Sequence, residues 1–92
     1  MNVSLSENKK LLNKLLQEYK MTQERLEKEI EESENRKTEI EALMAEVDFY
    51  DNNEMVKKTT LEYEQLKMDL TDHYSKWEEY ANRIEVIEQE IL

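Results

Sequence analysis

Hydrophobic side chains recur in alternating steps of three and four residues through the first half of the chain. Counted back from residue 47, this spacing selects eleven positions, and eight of them are apolar or aromatic. A narrow stripe with a 3.5-residue period is typical of a helix that packs along one partner helix. The selected positions are Leu12, Leu16, Tyr19, Gln23, Leu26, Ile30, Ser33, Lys37, Ile40, Met44 and Val47.

The second half of the chain repeats the pattern in mirror image. Counted forward from residue 56, the same spacing selects eleven positions, of which nine are apolar or aromatic. These are Val56, Thr59, Tyr63, Leu66, Leu70, His73, Trp77, Tyr80, Ile84, Ile87 and Ile91. We call the two sets together the seam.

The two halves of the seam match when the chain is folded back on itself. Each opposed couple has residue numbers that add to 103, which places Leu26 near Trp77 and Ile30 near His73. The sequence therefore predicts an all-α fold, an antiparallel two-helix coiled-coil hairpin, with about one or two residues of uncertainty in register. A single domain would hold helix 1 over about 5–47, a turn over about 48–53 and helix 2 over about 54–91.

The predicted turn contains DFYDNN, in a chain that has no glycine and no proline. Aspartate and asparagine tolerate left-handed backbone conformations and bond their own backbone, so they can reverse the chain. The predicted turn residues are Phe49, Tyr50, Asp51, Asn52 and Asn53, with both aromatic rings expected to fold over the end of the seam. Asp51 with Glu54, or Asn52 or Asn53 alone, can cap helix 2. Ser4 with Glu7 similarly predicts the start of helix 1.

Charge and composition limit the classes of function. With 39% charged residues and no cysteine, the chain offers neither a large core nor disulfides or thiolate metal sites, and no window is apolar enough for a membrane span. A cytoplasmic location is therefore expected. The net charge is −10, yet residues 1–20 hold four lysines against two glutamates, whereas residues 21–51 and 52–92 are both strongly acidic. If the hairpin contacts RNA or DNA, the predicted contacts are Lys9, Lys10, Lys14 and Lys20, although an ordinary solvated helix face explains these lysines too.

Nothing in the sequence predicts catalysis, a cofactor or a metal ion. His73 and Asp69 lie four residues apart, but two ligands are too few for a dedicated metal site, and a partly buried seam histidine accounts for His73. Carboxylates of a two-helix rod lack the cleft that acid–base catalysis needs. A phosphate-cradling glycine loop cannot form without glycine. We therefore expect a non-enzymatic module.

Three short motifs carry a resemblance. Helix 1 ends in I-E-x-L-M-A (Ile40 to Ala45), the turn has Tyr50 before Asp51 with E-x-V following (Glu54 to Val56), and helix 2 carries L-x-x-x-Y-x-x-W-E-E (Leu70 to Glu79). Upstream, Tyr19, Lys20 and Arg25 fit a basic entry segment. Over residues 19–80 the chain resembles the C-terminal coiled-coil domain of ABC-F ATP-binding cassette proteins. It departs from them in carrying Val47 where a proline is usual.

The ABC-F resemblance implies a function for the parent protein rather than for the hairpin alone. Members carry two ATP-binding cassettes in one cytoplasmic chain and act on the ribosome, in translation or in protection from antibiotics. The hairpin would then be a C-terminal interaction module that works beside the ATPase domains of its parent. Its partner would be the ribosome, RNA or DNA.

Two alternatives stay open at the level of sequence. The helical N-terminal domain of peptide-chain release factors is also an acidic hairpin, and its turn is similar to Phe49, Tyr50 and Asp51. A plain dimerising coiled coil is the other alternative, because apolar residues also lie off the seam. Those residues are Leu11, Leu15, Leu43, Leu61, Met68 and Val86.

Overall fold

The fold is an antiparallel pair of long helices. The computed structural model describes residues 5–91, so Ser4 and its predicted capping role lie outside the described residues. Helix α1 spans Leu5–Met44, a short 3-10 turn spans Phe49–Asp51, and helix α2 spans Asn53–Ile91. The molecule is a rod of 72 × 19 × 14 Å, which confirms the predicted all-α helical hairpin. We call the end that holds the turn the tip, and the end where α1 begins and α2 ends the base.

The core follows the seam along the rod. Its buried apolar side chains outside the turn are all seam residues, and Ile40 is fully buried. Thr59 is the buried polar residue of the described part. The buried seam positions are Leu16, Leu26, Ile30, Ile40, Thr59, Leu70, Ile84 and Ile87, whereas the other seam side chains, Val47 excepted, are partly buried.

Val47 is the seam residue that the structure contradicts. Helix α1 ends at Met44, and the Val47 side chain is 96% exposed. The backbone tightens at this point, since Ala45 N bonds both Glu41 O and Ala42 O and Glu46 N bonds Leu43 O. A change from the α to the 3-10 pattern rotates later residues away from the stripe, so the 3.5-residue period no longer describes the chain. Helix 1 is therefore three residues shorter than predicted.

The turn reverses the chain without any left-handed residue. No described residue has a positive φ, so the expectation that aspartate or asparagine would adopt that conformation is wrong. Phe49 N bonds Glu46 O and Asp51 N bonds Asp48 O, which closes successive 3-10 turns. A run of tight right-handed turns thus changes the chain direction without glycine.

Asn52 caps helix α2. Its side-chain Oδ1 accepts a hydrogen bond of 3.0 Å from Met55 N, and its backbone φ of −110° lies outside the helical region. Of the capping residues that the sequence allowed, this bond selects Asn52. Phe49 is buried, as predicted, whereas Tyr50 stands edge-on to Phe49 with its ring largely in solvent. Only one of the two aromatic rings therefore covers the end of the seam.

Cross-helix contacts define the register of the two helices. Tyr63 bonds Glu41, and Trp77 bonds Glu27. Each of these glutamates directly follows the predicted seam partner, Ile40 for Tyr63 and Leu26 for Trp77. The register therefore lies within the one or two residues allowed around the sum of 103.

Candidate functional site

The basal lysines occupy two different faces of α1. Lys10 and Lys14 are one helical turn apart and both are exposed on the outer surface, with Leu11 between them. Lys9 lies about 100° around the helix from Lys10. Lys20 is eleven residues after Lys9, about 16 Å along the axis. The four predicted contact residues are thus two pairs, and Lys10 and Lys14 share one compact surface, which Leu11 and Glu7 also line.

Acidic side chains of α2 approach one of these pairs. Lys20 Nζ lies 3.9 Å from Glu88 Oε2. Glu85 and Glu90 are also exposed near the base. Among residues 7–91, no ion pair includes Lys9, Lys10 or Lys14. The Lys10 and Lys14 ammonium groups are therefore the more available for a phosphate.

An apolar flank lies at the base of the hairpin, beside the seam. Leu16, Ile84 and Ile87 form the hydrophobic cluster at this end, and Leu15 and Tyr19 pack against it. Leu15, Tyr19, Arg83 and Val86 border an open surface depression of ≈ 420 Å³. Its position beside the cluster gives the base an exposed apolar strip, whose lining includes Arg83 and Glu79 and none of the predicted contact lysines.

A row of glutamates runs along one side of the seam on α1. Glu27, Glu34 and Glu41 are spaced by seven residues, and each accepts a hydrogen bond from an aromatic side chain of α2. Trp77 Nε1 donates to Glu27 at 2.9 Å, Tyr74 Oη to Glu34 at 3.0 Å, and Tyr63 Oη to Glu41 at 2.8 Å. These bonds raise the pKa of Tyr63 and Tyr74, because a neutral hydroxyl is needed to donate to the carboxylate.

Arg36 joins the two helices on the other side of the seam. Its Nε and Nη2 donate to the two oxygens of Glu62 at 2.7 and 2.9 Å, and Nη1 donates to Glu39 at 3.0 Å. The bidentate hydrogen bonds from Arg36 lower the pKa of the Glu62 carboxyl. The same bonds, together with that to Glu39, raise the pKa of Arg36. Arg36 is therefore an orienting contact between α1 and α2.

His73 takes the seam position predicted for it. Its Nε2 lies 3.2 Å from Glu29 Oε2, and its side chain is mostly covered. The Nδ1 atom is buried with no hydrogen-bond partner in the described part of the chain. Within residues 5–91, no group of three or more His, Cys, Asp or Glu side chains is arranged to hold a metal ion. The arrangement around His73 is that of a helix–helix contact.

Sequence reasoning missed the aromatic–glutamate pairs. The seam pattern predicts the packing of the Trp77 and Tyr63 rings, but it assigns no hydrogen-bond partner to the indole Nε1 or the phenol oxygen. The signal was available, since Glu27, Glu34 and Glu41 share one heptad position immediately beside the seam. A buried indole or phenol needs a partner for its polar atom, and a row of carboxylates at that position supplies it.

Comparison with known families places the chain in one of them. The family described as the ABC transporter C-terminal domain matches residues 10–82, which covers most of the hairpin. Comparisons with curated proteins and with solved structures gave no significant match. No helix in residues 5–91 is long and apolar enough to span a membrane. The matched segment contains the turn, the first half of the seam, the second half as far as Tyr80 and the aromatic–glutamate pairs, and we conclude that this chain belongs to the ABC transporter C-terminal domain family.

Proposed function

We propose that the hairpin is the non-catalytic C-terminal interaction arm of an ABC-F type ATPase, and that its base contacts RNA of the ribosome, or DNA. Membership of the ABC transporter C-terminal domain family makes it an accessory domain that accompanies ATPase domains. Assignment to the ABC-F branch rests on the motifs in the turn and in helix α2. Such proteins work in the cytoplasm, where we expect this chain to act.

The motif residues have structural roles that favour the ABC-F assignment over the release-factor alternative. Leu70 is buried in the seam, and Tyr74 and Trp77 donate hydrogen bonds to Glu34 and Glu27 across the hairpin. The L-x-x-x-Y-x-x-W spacing is therefore the spacing that joins this helix to its partner. The family match includes this motif, and it supports an ABC protein rather than a release factor.

The observation that carries the nucleic-acid contact is the exposure of Lys10 and Lys14 on one outer face. Neither lysine forms an ion pair with a described residue, whereas Lys20 lies beside Glu88. Most of the remaining surface is acidic and repels phosphate. A phosphate backbone that approaches this rod is therefore attracted to the base and to no other long stretch of it.

The test compares two lysine pairs with a control pair. The Lys10→Glu/Lys14→Glu variant is measured beside Lys9→Glu/Lys20→Glu, and Lys57→Glu/Lys58→Glu reverses two exposed charges near the tip. Ribosome pelleting and gel shifts with single-stranded RNA and duplex DNA are carried out over a range of salt concentrations. We expect the Lys10→Glu/Lys14→Glu variant to lose the most affinity. Its binding should also depend less on salt, because each lost phosphate contact lowers the slope of log affinity against log salt concentration by roughly 0.7–0.9.

The control and the salt dependence decide the outcome. Lys57→Glu/Lys58→Glu should leave binding close to that of the unchanged hairpin, since these lysines lie about 50 Å from the base by helix rise, roughly 1.5 Å per residue. Equal losses in all three variants would show that only net charge matters. Absence of binding at low salt for the unchanged hairpin would reject the proposal.

A second candidate function is self-association through the apolar flank at the base. The exposed Val86 and the depression beside Tyr19 and Arg83 favour it. Sedimentation over a range of protein concentrations separates the candidates, because a dimerising hairpin gains mass with concentration in the absence of nucleic acid. Val86→Gln should abolish that gain if the flank is the interface, whereas Leu11→Gln, on the surface that holds Lys10 and Lys14, should not.

A further inference from the structure

Three apolar side chains are exposed close together in sequence at the tip of the hairpin. Val47 is 96% exposed, Tyr50 64% and Met55 49%. All three lie in the nine-residue segment 47–55, which contains the chain reversal. We call Val47, Tyr50 and Met55 the tip patch. Single exposed apolar residues are common and need no explanation, but three at one turn are typical of an interaction site.

The tip patch is held by ordered local structure. Phe49 is buried and packs edge-to-face against Tyr50, with ring centroids 5.0 Å apart. Backbone hydrogen bonds from Phe49 to Glu46 and from Asp51 to Asp48 fix the 3-10 turns. The Asn52 cap fixes Met55 N. The side chains are thus presented on a preformed scaffold, which limits the conformational entropy lost on binding.

The packing between the two helices does not include these side chains, and Tyr50 contacts only the outer edge of the turn through Phe49. Val47 continues the seam spacing in sequence, but α1 ends at Met44 and the side chain faces solvent. Polar residues at these positions would leave the seam unchanged, because Phe49 already covers its end. The tip patch is therefore available to a partner without disturbing the helix pair.

Charge around the tip patch selects the kind of partner. Glu46, Asp48, Asp51 and Glu54 surround it in sequence, and no lysine or arginine occurs from residue 46 to residue 56. Lys57 and Lys58 follow on α2, where they line an open surface depression together with Met55 and Glu54, so the carboxylates near the patch outnumber the cations by two. A phosphate backbone is repelled by the four carboxylates, whereas a basic protein surface is attracted.

We propose that the tip patch is a docking surface for a basic protein surface that carries an apolar pocket. Val47 and Tyr50 supply the apolar contact, and the surrounding carboxylates pair with lysine or arginine side chains at the rim. The proposal does not depend on the basal lysines, because the two surfaces lie at opposite ends of a 72 Å rod. The hairpin then holds two partners of opposite charge apart.

A binding experiment with a defined probe tests the tip patch. The probe is a short synthetic amphipathic helix of lysine and leucine, titrated into isotope-labelled hairpin and followed by amide chemical shifts. Two comparison helices accompany it, one of lysine and serine and one of glutamate and leucine. We expect shift changes concentrated at residues 46–55 with the lysine–leucine helix, and weaker or no changes with the other two.

Matched variants complete the test. Val47→Ser/Tyr50→Ser should weaken binding of the lysine–leucine helix by roughly tenfold, whereas Met21→Ser/Met68→Ser should not. Met21 and Met68 are 69% and 68% exposed and lie far from the turn in sequence, so they are matched controls for exposed apolar side chains. Circular dichroism confirms that each variant stays helical. Shift changes spread along the acidic rod, equal binding of the lysine–serine helix, equal losses in both variants, or no binding would each overturn the proposal.

Discussion

The tip and the base of the hairpin share one seam but join the two helices differently. At the tip the chain itself connects α1 to α2, Phe49 covers the end of the seam, and Ile40 is fully buried nearby. At the base the described contacts are between side chains, in the cluster of Leu16, Ile84 and Ile87. Their surfaces differ as well, since the base carries exposed lysines and the tip carries apolar residues among carboxylates.

This difference has a physical consequence for how each end opens. Separation of the helices at the base leaves the turn and the seam near the tip intact. Separation near the tip removes the contacts that hold the two helices close together, so the rest of the seam is lost as well. Regions held by fewer contacts open with lower free energy than the molecule as a whole. Base and tip are therefore expected to respond unequally to equivalent substitutions.

The largest expected effect is that of Ile40→Ala. This side chain is fully buried in the seam, and truncation of a buried isoleucine destabilises a protein by about 2–5 kcal/mol. Leu16→Ala removes a comparable side chain from the basal cluster, but we expect it to promote local opening instead. Urea denaturation measures the global free energy of unfolding, and amide hydrogen exchange locates the opening.

The comparison between the ends fails if Leu16→Ala lowers the global free energy of unfolding as much as Ile40→Ala does. It also fails if hydrogen exchange in Leu16→Ala is accelerated near the tip as much as at the base. Leu61→Ala serves as the control, because its side chain is exposed and its loss should leave both measurements nearly unchanged.

The hairpin could be predicted from the sequence because apolar residues recur with the same 3.5-residue period in both halves of the chain. Ile40, Leu70 and Ile84 fall where that period places them, and all are buried. The exposure of Val47 was not predicted, since the end of α1 depends on backbone hydrogen bonds in a turn that has no glycine or proline signal. The pairing of Arg36 with Glu62 was missed for a different reason. Many charged residues lie beside the seam, and only the exact register shows which of them meet.

A smaller effect is expected on acidification, through Arg36 and Glu62. Because Arg36 lowers the pKa of Glu62, the pair stabilises the fold above the ordinary glutamate pKa, and this contribution is lost as the pH falls through the lowered value. The unchanged hairpin should therefore exceed Glu62→Gln in stability at neutral pH. The difference should begin to shrink near the ordinary glutamate range, about pH 4, and should disappear only below the lowered pKa of Glu62. Urea denaturation at a series of pH values measures it.

Arg36→Met removes the same pair from the other side and should reproduce the pH range of Glu62→Gln. The effect stays below that of Ile40→Ala, because both side chains are partly exposed and screened by water. A difference that grows as the pH falls would contradict the assignment of the pair.

A comparable but separate effect is expected at alkaline pH. Hydrogen bonds to Glu41 and Glu34 raise the pKa of Tyr63 and Tyr74, so each contributes stability that is present below about pH 10 and lost as the pH rises through the raised value. Tyr63→Phe/Tyr74→Phe should therefore be less stable than the unchanged hairpin at neutral pH and lose less stability on going to high pH. Thermal denaturation across the alkaline range measures this.

Tyr50→Phe is the control at the tip. The Tyr50 hydroxyl makes no hydrogen bond to a described residue, so its removal should leave the alkaline loss of stability unchanged. If Tyr50→Phe and the double variant behave alike, the cross-helix hydrogen bonds are not the cause of that loss.

The smallest expected effect is that of Arg83→Gln at the base. The Arg83 guanidinium lies 4.9 Å from the ring centroid of Tyr80 and 5.6 Å from that of Tyr19, and it also bonds Glu79. An exposed cation–π contact contributes about 0.5–1 kcal/mol, so we expect only a slight loss of global stability. Hydrogen exchange should quicken at the base and not at the tip. Lys67→Gln, which removes a cation 5.2 Å from the Tyr63 ring, is the matched control and should quicken exchange around Tyr63 instead. If Arg83→Gln loosened both ends equally, the rod would open as one unit, and the base could not change shape on binding while the tip stayed closed.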